Sequence, residues 1–244
     1  MKVSFVIPAY NEEKRVRACI ESVLAEIARV SIEAEVVVVN NASTDKTKEI
    51  AASFVGVRVV DEPSKGLVRA RKAGYEATTG ELVANIDSDV LVPTGWLTVV
   101  LTAFNKNKKL VAITGPYVYY DLTSFERGVT KVWYFFGWFF NLFSEGIFGY
   151  PTMLQGGNFV IQRDAWDRVG GFDTSIIFYG EDADVARRIG TQGGVLWTWK
   201  LPVFSSGRRL RTEGVVKTGW HYAINLFSTH ISGKPVTKDY TDIR

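Results

Sequence analysis

A single cysteine, Cys19, stands among 244 residues. That excludes an internal disulfide and any cysteine-based metal cluster, and makes a reducing compartment and a place in the core the simplest expectations. Charge of one sign is also missing. Lys and Arg number 29 against 26 Asp and Glu, a net charge of +3, and the basic residues are scattered. No nucleic-acid surface is expected, whereas phosphate-bearing small molecules suit a mildly basic chain. There is no long apolar run either. The longest, Val132 to Phe143, is broken by Gly137 and Asn141 and then meets Ser144 and Glu145, short of the roughly 20 residues needed to span a bilayer. The opening Met-Lys-Val-Ser-Phe-Val-Ile-Pro is too short for a secretory apolar segment, lacks a small-residue cleavage site and reads as a first strand. No linker rich in Pro, Gly or Ser, no repeat and no low-complexity tract divides the chain.

What is present is ordinary in amount and informative in order. Hydrophobic residues make up 46% and charged residues 23%, enough apolar surface for one large α/β domain to offset its chain entropy. Strands are predicted at Val3–Ile7, Val36–Val39, Val57–Val60 and Leu82–Ile86. Between them, Asn11 caps a helix whose first turn holds Glu12 and Glu13 and whose buried stripe is Val16, Ile20, Val23, Leu24 and Ile27. A second helix starts at Ser43 or Thr44 and runs through Phe54, and a third covers Leu67 to Ala77. Continuous apolar strands separated by helices predict a parallel sheet covered on both faces. The second half is less regular. Helices are expected at Trp96–Phe104, Arg163–Val169, Glu181–Ile189 and Gly214–His230, and strands at Leu110–Thr114, Asn158–Ile161 and Val195–Trp199.

Ligands bind open parallel sheets at the carboxyl ends of the strands, and polar residues gather there: Pro8-Ala9-Tyr10-Asn11, Asn40-Asn41-Ala42-Ser43 and Asp87-Ser88-Asp89. Two apart in an extended segment, Asp87 and Asp89 point to one side. They offer hard oxygen ligands that suit Mg2+ or Mn2+, with phosphate oxygens and water completing the shell. A solvated acidic turn looks the same, but the position directly after a buried strand favours the ligand reading. Glu181 and Asp182 open a predicted helix. They are carboxylates suited to taking a proton, or simply the acidic residues that any first turn favours.

Taken together, Val-Ser-Phe-Val-Ile-Pro-Ala-Tyr-Asn-Glu-Glu at 3–13, Val-Val-Asn-Asn-Ala-Ser-Thr-Asp at 38–45, Gly-Glu-Leu-Val-Ala-Asn-Ile-Asp-Ser-Asp at 80–89 and Gly-Gly-Phe-Asp followed by Gly-Glu-Asp-Ala-Asp within 170–184 resemble family 2 glycosyltransferases. The resemblance implies the GT-A fold: a single compact, Rossmann-like α/β domain with a mostly parallel central sheet flanked by helices. It also implies inverting transfer of a sugar from a nucleotide-diphosphate donor, a UDP- or GDP-sugar, to a hydroxyl acceptor, glycan or lipid-linked, assisted by Mn2+ or Mg2+. Residues 1–115 are then the donor half, and 116–244 the acceptor half that carries the base.

Carried over by position, the resemblance places Pro8, Ala9, Tyr10 and Glu12 around the base and ribose. Asn41 stands where the family has an acidic residue that reads the base; a plain turn residue is the other reading. Lys65 and Arg69 lie beside the nucleotide, with Gly66 and the following helix N-terminus favouring the diphosphate, whereas Arg71 is assigned to an ordinary exposed helix face. Asp87 contacts the ribose or the metal, and Asp89 is the direct metal ligand. Asp182 is the general base, Glu181 holds the acceptor or orients Asp182, and Asp184 partners Arg187 or Arg188. Gly156, Gly157 and Asn158 let an acceptor sugar approach the backbone, or form a turn. In the basic loop 205–211, Arg208 and Arg209 fold over the leaving diphosphate, or form a solvated turn. His221 is an additional metal ligand or a structural helix residue, with His230 the lesser candidate. A nucleotidyltransferase and a non-catalytic, membrane-associated nucleotide-sugar-binding protein are the alternative readings.

The aromatic segment 125–148 holds Trp133, Tyr134, Phe135, Phe136, Trp138, Phe139, Phe140 and Phe143. Apolar residues surround any helix drawn through it, so it is a core helix, an oligomer contact, a wall for a lipid-linked acceptor or a peripheral membrane contact. The location expected is cytoplasmic, with any membrane contact at the inner face.

Overall fold

The computed structural model describes residues 1–148, 153–232 and 234–237. The side chains of 142, 144–148, 230 and 231 lie outside the described set, and with them the expectation for His230.

The first half follows the predicted alternation. β1 (Val3–Ala9), α1 (Val16–Val30), β2 (Ala34–Asn40), α2 (Thr47–Ala52), β3 (Val57–Asp61), α3 (Leu67–Glu76) and β4 (Leu82–Ile86) succeed one another. All seven residues of β1 and all five of β4 are buried, as strands covered on both faces must be. Then come β5 (Val90–Leu91), α4 (Trp96–Lys106), β6 (Leu110–Thr114), β7 (Tyr117–Tyr119), α5 (Ser124–Phe148), β8 (Asn158–Gln162), α6 (Arg163–Arg168), α7 (Glu181–Gly190), β9 (Gly194–Trp197), β10 (Val203–Ser205), α8 (Arg208–Glu213) and α9 (Val215–Ser232).

A seven-stranded sheet runs β3-β2-β1-β4-β8-β6-β9. Its pairings are parallel except those of β8, which lies antiparallel between β4 and β6. The sheet is thus mostly parallel, as the motifs implied; a short apolar run carries no direction, so the sequence did not mark β8 as the reversed strand. One core layer joins α1 and α4 to the sheet through Val16, Ile20, Trp96 and Val100; the other joins α3, α6 and α7 through Val68, Trp166 and Val185. A second sheet, β5-β10-β7, stands beside the first. Its strands of two and three residues are too short for any alternation to show in the sequence.

Three local expectations are corrected. α1 begins at Val16 with no side-chain cap. Asn11 instead sits at φ +50°, where its Oδ1 accepts from the Thr44 N–H at 2.9 Å, stitching the loops after β1 and β2. α2 begins at Thr47, whose N–H donates to Asp45 Oδ1 at 2.9 Å. The basic segment expected as a loop is the start of α8. α5 packs on α9 through the Phe140 and Phe227 rings, with centroids 4.5 Å apart. Among the described residues no helix is long and apolar enough to cross a membrane.

Candidate active site

Strands β1, β2 and β4 end at one edge of the sheet, and a cleft of about 130 Å3 opens there. Pro8, Ala9 and Tyr10 form one side, with Asn41, Lys65, Asp87, Asp89, Arg208 and Arg209 around it. Lys65 Nζ lies 3.9 Å from the centre of the Tyr10 ring. The Asn41 amide is already engaged: its Nδ2 donates to the carbonyls of Glu62 and Ser64 at 3.0 and 2.9 Å, and its Oδ1 accepts from the Gly66 N–H at 2.8 Å. It holds the 62–66 turn, and hence Lys65, against the cleft.

Arg71 occupies the centre of the site. Only 1% exposed, it donates to Asp87 Oδ1 at 3.0 Å and to Glu181 Oε1. The acidic pair after β4 is thereby joined to the acidic pair that opens α7. Burial opposes the charge on Arg71, but the Glu181 and Asp87 carboxylates outweigh it and hold the guanidinium protonated above its usual range. Burial pushes Glu181 up to about 8, against the pull of Arg71 and with Asp182 and Asp87 adding to the rise. Asp182 is also raised, by burial first and by Asp87, while its hydrogen bond from the Ala183 N–H at 2.9 Å works the other way. Gly180, at φ +79°, supplies the left-handed residue that turns the chain into α7. Asp184 accepts from both Arg187 and Arg188, at 3.0 and 2.8 Å.

Tyr117 donates to Asp87 Oδ2 at 3.1 Å and accepts from the Gly157 N–H at 2.7 Å. A Cβ at residue 157 would overlap the Asp87 carboxylate and the Tyr117 hydroxyl, so this glycine is required for close packing behind Asp87. Burial and the charge of Asp87 raise the Tyr117 phenol well above its usual range, keeping it a donor.

Arg208 pairs with Glu12, one of its contacts being 3.1 Å, and with Asp89 Oδ2 at 3.0 Å. Arg209 pairs with Glu213 at 2.7 Å and lies 4.6 Å from the centre of the Phe178 ring. Both arginines are carried by the 206–207 turn, which Asp121 holds through Ser206 Oγ at 2.7 Å and the Gly207 N–H at 2.6 Å.

A second, larger cleft of about 570 Å3 adjoins the first, sharing Tyr117, Tyr119, Leu210 and Tyr222 with it. Asp182 and Gly180 line it together with aromatic residues of α5 and α9.

Several expected placements differ. Glu12 is 1% exposed and does not line the cleft; it lies behind Arg208, which it anchors. Arg69 is exposed and outside the cleft, because the helical turn that aims Ala70 and Arg71 inward aims their neighbour outward. Asn158 is fully buried: its Oδ1 accepts from Trp96 Nε1 at 3.0 Å, and its Nδ2 donates to the Gly115 and Leu201 carbonyls at 3.0 and 2.8 Å. With its amide engaged inside the fold, it offers an acceptor nothing. His221 stacks edge-on near Tyr179, with centroids 6.1 Å apart. Among the described residues no three His, Cys, Asp or Glu side chains gather to hold a metal, so the structure does not bring His221 together with Asp87 and Asp89. The two aspartates fit a divalent ion as a pair that relies on phosphate and water for its remaining ligands. A cationic group, the Arg208 guanidinium, is held at Asp89 here.

The fold and the acidic cleft define a class, and the sequence profile of glycosyl transferase family 2 matches residues 4–170. The chain belongs to that family. Among curated proteins, glycosyltransferase AglE of Haloferax volcanii is 34% identical over 100 residues, which is 39% of this chain and 33% of that protein. This chain thus spans about a third of that relative's length. Among solved structures, mannosyltransferase PcManGT from Pyrobaculum calidifontis, in complex with GDP-Man and Mn2+, has a TM-score of 0.65 at 20% identity, covering 91% of this chain and 64% of its own. Glucosyl-3-phosphoglycerate synthase from Mycobacterium tuberculosis, with Mn2+, UDP and phosphoglyceric acid, has a TM-score of 0.64 at 20% identity, covering 97% and 80%. Both likenesses show the fold, the GT-A arrangement expected from the motifs.

Proposed function

We propose that this chain transfers a sugar from a UDP- or GDP-linked donor to a hydroxyl acceptor with inversion at the anomeric carbon. Asp182 is the base, and Asp89 with Asp87 holds a divalent cation. One observation supports this reading above the others: Arg71 ties Asp87 to Glu181, so the two acidic centres face one space where the clefts meet.

The nucleotide lies in the smaller cleft against Pro8, Ala9 and Tyr10, with Lys65 beside it. Two structural neighbours have been solved with Mn2+, one with UDP and one with GDP-Man, and the aspartate pair here suits Mn2+ or Mg2+. When bound, the cation neutralises the diphosphate and eases its departure. Arg208 and Arg209 line the same cleft and add positive charge where the leaving group develops its own. Asp182 takes the proton of the acceptor hydroxyl as its oxygen bonds to the anomeric carbon, on the face opposite the departing diphosphate. Glu181, held by Arg71, positions Asp182 rather than competing with it for the proton.

Asp89→Asn is expected to abolish the Mn2+-dependent rise in melting temperature produced by a UDP- or GDP-sugar, because ligand bound only by the folded state raises stability. A rise equal to that of the unmodified chain removes Asp89 from the ligand set. The pH dependence follows from the burial of Asp182, whose carboxyl is raised above the ordinary aspartate range. A base works only when deprotonated, so the acid limb of kcat/KM is expected to lie above the ordinary carboxylate value of about 3.9. A limb at or below that value, measured by initial rates across pH, excludes Asp182 as the base.

A further inference from the structure

α5 and α9 leave an apolar face that no other described residue covers. Phe125, Val132, Phe135, Phe136, Phe139 and Phe143 are all exposed, Phe125 by 80%. At about 100° per residue they fall on one stripe about 100° wide that runs about 27 Å along α5. From Val132 to Phe143 this helix carries no charged residue. Val216, Trp220, Ile224 and Phe227 form a matching exposed stripe on α9, and the Phe140–Phe227 contact joins the two helices. So extended an aromatic surface is unfavourable in water. Exposed Lys131 and Lys217 flank the stripes, giving the mixture of aromatic surface and basic edge that seats a helix among the head groups of an anionic bilayer.

This face is also a wall of the larger cleft. Phe136, Phe139, Phe143 and Phe227 are both exposed and cleft-lining, and the same cleft reaches Asp182, Tyr117 and Tyr119. An apolar surface therefore leads from the outside of the molecule to the proposed base. A wholly polar acceptor gains nothing from such a wall, whereas a hydrocarbon chain is stabilised by every ångström squared it buries there.

We infer that the acceptor is an amphipathic membrane lipid whose hydrocarbon lies between α5 and α9 and whose hydroxyl meets Asp182, with the exposed stripes seated on the bilayer from which it enters. This rests on the proposed glycosyl transfer and names the acceptor class for the same site. The lipid hydroxyl oxygen bonds to the anomeric carbon, the bond from that carbon to the diphosphate oxygen breaks, and the hydroxyl proton passes to Asp182.

The full chain is tested on vesicles of phosphatidylcholine and phosphatidylglycerol, part of the phosphatidylcholine carrying brominated acyl chains. The chain is expected to float with the vesicles, and the bromines to quench its fluorescence, since Trp133, Trp138 and Trp220 lie on α5 and α9. The double variant F125S/F135S removes two exposed rings that do not line the cleft. It is expected to lower vesicle partitioning by about tenfold or more while leaving the Mn2+-dependent thermal shift with donor unchanged. Phe139→Asp, in the cleft wall, is expected to abolish saturable binding of monomeric dodecyl maltoside. No vesicle binding with the donor shift intact overturns the lipid acceptor alone. So does a dimer that F125S/F135S dissociates in the absence of vesicles, which assigns the face to a second copy. Absence of any donor shift in the unmodified chain counts instead against glycosyl transfer.

Discussion

Asp182→Asn is expected to slow sugar transfer by about a thousandfold while leaving donor affinity intact. General-base catalysis supplies a factor of this order, and the amide keeps the shape of the carboxylate but takes no proton. Donor affinity survives because Asp182 lines the larger cleft and not the smaller one. Stability offers an internal control. Burial has raised the Asp182 carboxyl, so its charged form is disfavoured by folding, and the neutral amide should melt no earlier than the carboxylate. Single-turnover rates, calorimetric titration of donor with Mn2+ and a thermal scan decide the matter together. A parallel fall in rate and donor affinity moves Asp182 out of the base's role.

Arg71→Met is the second large effect, and it falls on the fold as well as the reaction. The guanidinium is buried between Glu181 and Asp87. Removing one partner of such an arrangement costs about 3–5 kcal/mol, because a carboxylate is left buried without compensation. Glu181, already raised to about 8 with Arg71 present, can protonate to limit the loss, so the cost should shrink as pH falls. The double variant R71M/E181Q should recover most of the stability, since replacing both partners of a buried pair costs far less than replacing one. Urea denaturation of the two variants checks this. A cost under about 1 kcal/mol for Arg71→Met, or no recovery in the double variant, removes Arg71 as the clamp of the site.

Much of this architecture was readable from the residues alone, and the parts that were not share physical reasons. β4 and β6 were legible to the residue, because each is a run of five between turns with four apolar residues, which leaves little choice. β5, β7 and β10 were invisible, since two or three residues carry no period. The acidic residues of the site stood out by lying just past strands or at a helix start. Arg71 was assigned to an exposed face because charge normally means solvent. The contrary signal was its phase: with Val68 and Tyr75 it shares a buried stripe of α3, and a cation on such a stripe requires buried anions opposite. Asp121 was missed because its partners, Ser206 and Gly207, are 85 and 86 residues away, and no local pattern reports a distant partner. Asn158 misled in the other direction, since a polar residue after two glycines looks like a ligand contact until its three fold-internal hydrogen bonds are seen.

The place of β8 has a consequence for how the molecule comes apart. It lies between β4 and β6, so a fragment ending before residue 158 would keep both of those strands and lose the one that separates them. Each would then present an unpaired apolar edge, the template on which chains aggregate. The portion proposed to bind the nucleotide is therefore not a detachable module, and early and late segments should melt together in one cooperative transition.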